Sequence, residues 1–77
     1  MFDLFQLNER ILSEWRYNNK TYYVTHTSGA FSNTFENFDK AYKDLEETYC
    51  YNFFTGKKLS KQECEKIKSK QKIIKIA

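Results

Sequence analysis

Between residues 38 and 49 the apolar side chains Phe38, Ala41, Tyr42, Leu45 and Tyr49 recur at i, i+3, i+4, i+7 and i+11. At about 100° per residue they share a stripe roughly 100° wide, so this segment is a helix with one face against a core. Asn37 suits the N-cap, because its side chain accepts from the free amides of the first turn. Glu36/Lys40 and Asp39/Lys43 add i,i+4 pairs of favourable polarity. The helix is expected to run from Asn37 to about Tyr51. Phe53 continues the stripe if it extends, while Tyr51 and Phe54 project to the other side.

One apolar stripe needs a second layer, and the upstream residues supply it as strands. Residues 13–17 (SEWRY) and 21–27 (TYYVTHT) are rich in aromatic and β-branched side chains and flank Asn18-Asn19-Lys20. Asparagine tolerates positive φ, so Asn18-Asn19 suits a tight hairpin turn. A two-residue loop pairs Tyr17 with Lys20, Trp15 with Tyr22 and Ser13 with Val24, and puts Trp15, Tyr22 and Val24 on the core face. A three-residue loop puts Tyr23 there instead, and both registers fit the sequence. Ser28-Gly29 begins another turn before a short strand over residues 30–35. At the start, Leu4, Leu7, Ile11, Leu12 and Trp15 share one helical arc, while Ile11, Ser13 and Trp15 alternate as in a strand. A short helical or irregular start is expected, then a strand from about Ile11.

Downstream, Ser60-Lys61-Gln62-Glu63 is a capping box, and Leu59 and Cys64 stand at hydrophobic-staple positions. A second helix over about 60–70 follows, and then a short strand at Ile73–Ile76 that would pair with the meander. Gly56 suits a left-handed turn ending the first helix. The fold class is therefore a single α+β domain over residues 1–77: a small antiparallel β-meander (about 11–35) on one amphipathic helix, then a second helix and a short C-terminal strand.

Composition restricts function more than it reveals it. With two isolated glycines among 77 residues, no glycine-rich phosphate loop exists. The chain is too short for a nucleotide-binding half-domain or a barrel. No apolar run spans a membrane, and residues 1–4 (MFDL) open no signal peptide, so a cytoplasmic location, in a host cell, is expected. In such a reducing compartment Cys50 and Cys64 are expected as free thiols, and their separation of 14 residues fits no zinc spacing. His26, the single histidine, makes no metal site with two distant cysteines. Neither catalytic residues, nor a metal, nor a cofactor is expected. Asp44 and Glu46-Glu47 point away from the stripe and read as a solvated face.

Two binding hypotheses remain. In the first, the chain is a non-enzymatic protein-binding module. Exposed tyrosine and phenylalanine on a small domain mark partner sites, because they join apolar area to a polar tip. The candidate residues are Tyr17, Tyr23, Tyr51 and Phe54 with the acidic Asp39, Glu46 and Glu47, docking on a basic or apolar groove. Size, absent chemistry and a proline-free, Lys/Asn/Tyr-rich composition fit the small accessory proteins of phages and mobile elements, which occupy a surface of a host enzyme, defence nucleases included. In the second, the lysine-rich end contacts nucleic acid. Residues 1–56 carry five basic against eight acidic residues, a net −3, whereas residues 57–77 carry eight lysines against two glutamates, a net +6. Lys57, Lys58, Lys61, Lys66, Lys68, Lys70, Lys72 and Lys75 would neutralise phosphates, although only Arg10 and Arg16 supply the guanidinium forks favoured for base readout. Edge-strand pairing into a homodimer is a third option.

Overall fold

A computed structural model of the chain describes residues 1–52 and 55–77, with Phe31 and Asn52 described by their backbone. The expectation for Phe54, and the continuation of the stripe through Phe53, lie outside the described residues.

Three two-residue turns build the meander. The strands are β1 (Phe2–Leu7), β2 (Arg10–Tyr17), β3 (Lys20–Thr27) and β4 (Ala30–Phe35). Asn18 and Asn19 both take positive φ (49° and 63°), as do Ser28 and Gly29 (50° and 83°). This is the backbone twist that joins antiparallel strands most tightly. The Asn18-Asn19 loop has two residues, so Tyr17 faces Lys20, Trp15 faces Tyr22 and Ser13 faces Val24. The first α-helix, α1 (Phe38–Glu47), starts where Asn37 Oδ1 accepts from the Lys40 amide at 3.2 Å. It ends four residues before Tyr51, in a 3₁₀ turn over Thr48–Cys50. A two-stranded ribbon, β5 (Tyr51–Asn52) with β6 (Lys57–Lys58), follows, and Gly56 at φ 70° belongs to its turn rather than to a helix end. The second α-helix, α2 (Lys61–Lys70), is capped by Ser60 Oγ accepting from the Glu63 amide at 3.2 Å. Lys68 and Lys70 in its last turn face the negative dipole end. The last strand, β7 (Ile74–Lys75), pairs with β1, so both chain ends enter one five-stranded antiparallel sheet of order β4-β3-β2-β1-β7.

The chain start corrects the sequence expectation, since residues 2–7 form a strand rather than a helical or irregular segment. Leu4 is the extra residue of a β-bulge between the Asp3–Ser13 and Phe5–Leu12 pairs, and its carbonyl accepts from the Ile76 amide at 2.8 Å.

The core lies between one sheet face and α1. Leu7, Leu12, Ala41, Leu45, Tyr49 and Cys64 are buried there, with Phe5, Tyr23, Phe35, Phe38, Tyr42 and Ile67 packed around them. Cys50 and Cys64 correct a second expectation, because they are joined in a disulfide. The segment between them doubles back through the β5–β6 ribbon, which brings their Cα atoms to 4.7 Å, and spacing in sequence does not report such an approach.

A buried polar ladder crosses the inner face. Arg10, 2% exposed, donates to Thr25 Oγ1 at 3.3 Å and Thr27 Oγ1 at 3.4 Å. Thr25 Oγ1 donates to Asp44 Oδ2 at 2.6 Å, and the Arg10–Asp44 ion pair measures 3.9 Å. Burial pushes the Arg10 guanidinium down from its ordinary pKa, and Asp44 pulls it part of the way back.

Candidate binding surface

Strand pairing fixes which side chains share a face. Arg10, Leu12, Glu14, Tyr23 and Thr25 face α1, whereas Ile11, Ser13, Trp15, Tyr17, Lys20, Tyr22, Val24 and His26 share the outer face. The expected core face of the hairpin is thus inverted for Trp15 and Tyr22. Tyr23 is not an outer-face contact residue. It is half-buried, with its ring edge-on to Phe38 at 5.4 Å.

The helical layer starts at the level of Tyr23 and Phe38, and the hairpin continues past it. Residues 15–20 are all exposed. About three residue rows plus the turn project there, roughly 10 Å of strand, in a molecule of extents 43 × 24 × 20 Å. On this arm Trp15 stacks on Tyr17 (5.4 Å, 24°) and meets Tyr22 across the strands (5.6 Å, 39°). Trp15 is 39% exposed and Tyr17 55%. Lys20 shares the face, opposite Tyr17. Arg16, on the other side, pairs with Glu14 at 3.4 Å. Three large rings thus hold one another in place without a core beneath them.

The root of the arm carries a second polar ladder, on the outer face. The Gly29 amide donates to His26 Nδ1 at 3.0 Å, which leaves the imidazole proton on Nε2. Nε2 then donates to Ser13 Oγ (2.8 Å), and Ser13 donates to Asp3 Oδ1 (2.7 Å). These are the residue types of a hydrolytic triad wired in the opposite sense. A nucleophilic serine gives its proton to the imidazole, whereas Ser13 receives a hydrogen bond from it and is fully buried. The ladder ties β1, β2 and β3 together.

The remaining candidate residues fall elsewhere. Glu46, Glu47 and Tyr51 line a cleft of about 770 Å³ between β4, the end of α1, the β5–β6 ribbon and α2, together with Cys50, Lys58 and Lys68. Asp39 lies by a shallower hollow beside Phe5 and Tyr42. Lys57, Lys58, Lys61, Lys66, Lys68, Lys70, Lys72 and Lys75 are all exposed. The hairpin aromatics and the acidic helix residues therefore do not form one surface. Tyr49 is buried between the layers. Burial pushes its hydroxyl up, against a backbone hydrogen bond with Ile73 that pulls it down, and nearby Tyr42 and Glu46 push it further up. Among the described residues no three His, Cys, Asp or Glu side chains gather to hold a metal ion, and no helix is long and apolar enough to cross a membrane.

Sequence reasoning put Trp15 and Tyr22 on the core face for a two-residue loop, whereas Trp15 is exposed and Tyr22 half-buried on the outer face, and it missed both polar ladders. The pairing of Trp15 with Tyr22 was legible from a two-residue Asn-Asn turn, but the face the pair takes was not. Comparison with protein-family models, with curated proteins and with solved structures finds no match to this chain.

Proposed function

We propose that this chain is a non-enzymatic protein-binding module whose contact element is the projecting tip of the β2–β3 hairpin. The observation that carries this is the mutual packing of Trp15, Tyr17 and Tyr22 on an exposed face beyond the helical layer. Tryptophan and tyrosine dominate binding energy at protein interfaces. Rings that already hold one another lose little freedom on docking. The mode of action is steric: the arm occupies a groove on a larger protein, as small accessory proteins of phages and mobile elements do on host enzymes.

The lysine-rich end supports nucleic-acid binding less well. Base stacking needs free ring faces, and Trp15 and Tyr17 cover each other. The arm projects past the start of α1, while α2 packs on the 3₁₀ turn at its other end. A ten-residue helix, about 15 Å long, therefore separates the rings of the arm from the lysine-rich end, where Tyr51 stands opposite Lys58.

The test compares wild-type protein with a Trp15→Ala/Tyr17→Ala/Tyr22→Ala variant as immobilised bait, after circular dichroism shows equal folding. A stoichiometric protein bound by the wild type and lost by the variant is expected. A partner retained by the variant excludes the arm, and binding of nucleic acid that weakens steeply with salt instead excludes the protein-binding reading.

A further inference from the structure

We propose that the Cys50–Cys64 disulfide is a thiol-exchange site, entered through the cleft at Cys50, whose opening releases the C-terminal helix from the 3₁₀ turn and the core edge it packs on. The two sulfurs differ in access. Cys50 is half-buried and lines the cleft of about 770 Å³, whereas Cys64 is 5% exposed and belongs to the core cluster. An incoming thiolate therefore reaches the Cys50 sulfur, with Cys64 as the leaving group.

The cleft is suited to an anionic thiol. Lys43, Lys58 and Lys68 converge on it from α1, β6 and α2. Of the carboxylates there, Asp44 is engaged by Thr25 and Arg10, which leaves Glu46 and Glu47 against three ammonium groups. A small thiol bearing carboxylates, of the glutathione class, fits this balance.

The chemistry balances with that thiol as the only reductant. Its thiolate attacks the Cys50 sulfur, a new S–S bond forms, and the Cys50–Cys64 bond breaks. The electron pair leaves on Cys64, which takes a proton from water. A second thiolate attacks the sulfur of the small thiol in the mixed disulfide, freeing Cys50 as a thiolate and giving one molecule of oxidised small thiol.

The consequence is local because little else holds α2. In α2, Cys64 is buried and Ile67 half-buried, while the other described residues of the helix are exposed. Beyond it, the chain is held separately: Ile73 packs at the edge of the core and bonds Tyr49, β7 pairs with β1 through Ile74 and Lys75, and the Ile76 amide bonds the Leu4 carbonyl. The bridge closes a loop of 15 residues, Cys50 to Cys64. Opening a loop of that size raises the population of the detached state by roughly 100-fold on the chain-entropy estimate.

The oxidised full-length protein, treated with glutathione or with neutral 2-mercaptoethanol, tests this by mass spectrometry and amide hydrogen exchange. The trapped adduct is expected on Cys50, with exchange over residues 61–70 faster by about two orders of magnitude and β2 and β3 still protected. Lys43→Gln and Lys68→Gln are each expected to slow the glutathione reaction about threefold more than the 2-mercaptoethanol reaction, because glutathione carries one unit of negative charge beyond the thiolate with which both reagents attack, felt at ~7 Å in water. An adduct on Cys64, or loss of protection in β2 and β3 together with α2, overturns the proposal. So does equal slowing with both reagents.

Discussion

Replacing Asp44 by asparagine removes one charge from the inner ladder while keeping the shape of the side chain. The amide oxygen can still accept from Thr25, so the change isolates the electrostatic part of the ladder. At 3.9 Å and an effective dielectric of ~20, the Coulomb attraction to Arg10 is at most about 4 kcal/mol. The Asp44 side chain is 26% exposed, and solvent takes a share, which leaves an expected loss of about 1–3 kcal/mol. For a domain this small that is roughly 5–20 °C in Tm, read by far-UV circular dichroism. Arg10→Met keeps a long side chain in the same slot without its charge. Asp44→Asn in the Arg10→Met background is then expected to cost less than in the wild type by about 1–2 kcal/mol. Because Arg10 is buried, half-molar salt should close little of the gap between wild type and Asp44→Asn. Additive single and double variants, within about 0.5 kcal/mol, would falsify the claim that this pair holds α1 to the sheet.

Leu45, fully buried in the last turn of α1, should cost about 2–5 kcal/mol on truncation to alanine, measured by urea unfolding, and an unchanged midpoint would place the core elsewhere. Asn19→Gly relieves a non-glycine residue at φ 63° and should stabilise the hairpin by about 0.5 kcal/mol, with a lower Tm arguing against the primed turn. Tyr49 gives an alkaline signature. Its folded pKa is raised, so its contribution is fully present below the unfolded value of about 10 and falls as pH rises above it. Unfolding free energy should decline above that pH in the wild type and less in Tyr49→Phe, and parallel curves would contradict the burial argument.

What the sequence conveyed depended on whether the core dictated the pattern. The stripe from Phe38 to Tyr49 was legible because every member belongs to the core cluster or packs against it, and the Asn37 and Ser60 caps were legible because capping is local chemistry. The hairpin register was open, and the Asn-Asn turn resolved it. The faces were misread for a physical reason. Alternation in β2 puts Ser13 and Trp15 on one side and Leu12 and Glu14 on the other, which suggests that the Trp15 ring points inward. Residues 15–22 lie past the helical layer, so burial does not decide their polarity. At the level of α1 it is Leu12 and Thr25 that point inward. The first strand was hidden by its bulge, because the extra residue Leu4 breaks the two-residue alternation and gives Leu4, Leu7 and Ile11 a helical spacing. The disulfide was hidden because the expectation of free thiols came from an assumed compartment, and only the folded chain brings Cys50 to Cys64.

The two polar ladders explain how an exposed arm can hold a fixed direction on so small a domain. Arg10, Thr25 and Asp44 lock β2, β3 and α1 on the inner face, and Asp3, Ser13, His26 and the Gly29 amide lock β1, β2 and β3 on the outer face. Both cross the hairpin at its root, between residues 10–13 and 24–27. Hydrogen bonds are directional and costly to leave unmade when buried, so they fix strand geometry more sharply than apolar contact alone. The arm is thus anchored at its base and free at its tip. Because Trp15, Tyr17 and Tyr22 support one another and no core residue, changes at the tip should leave the stability of the base almost untouched.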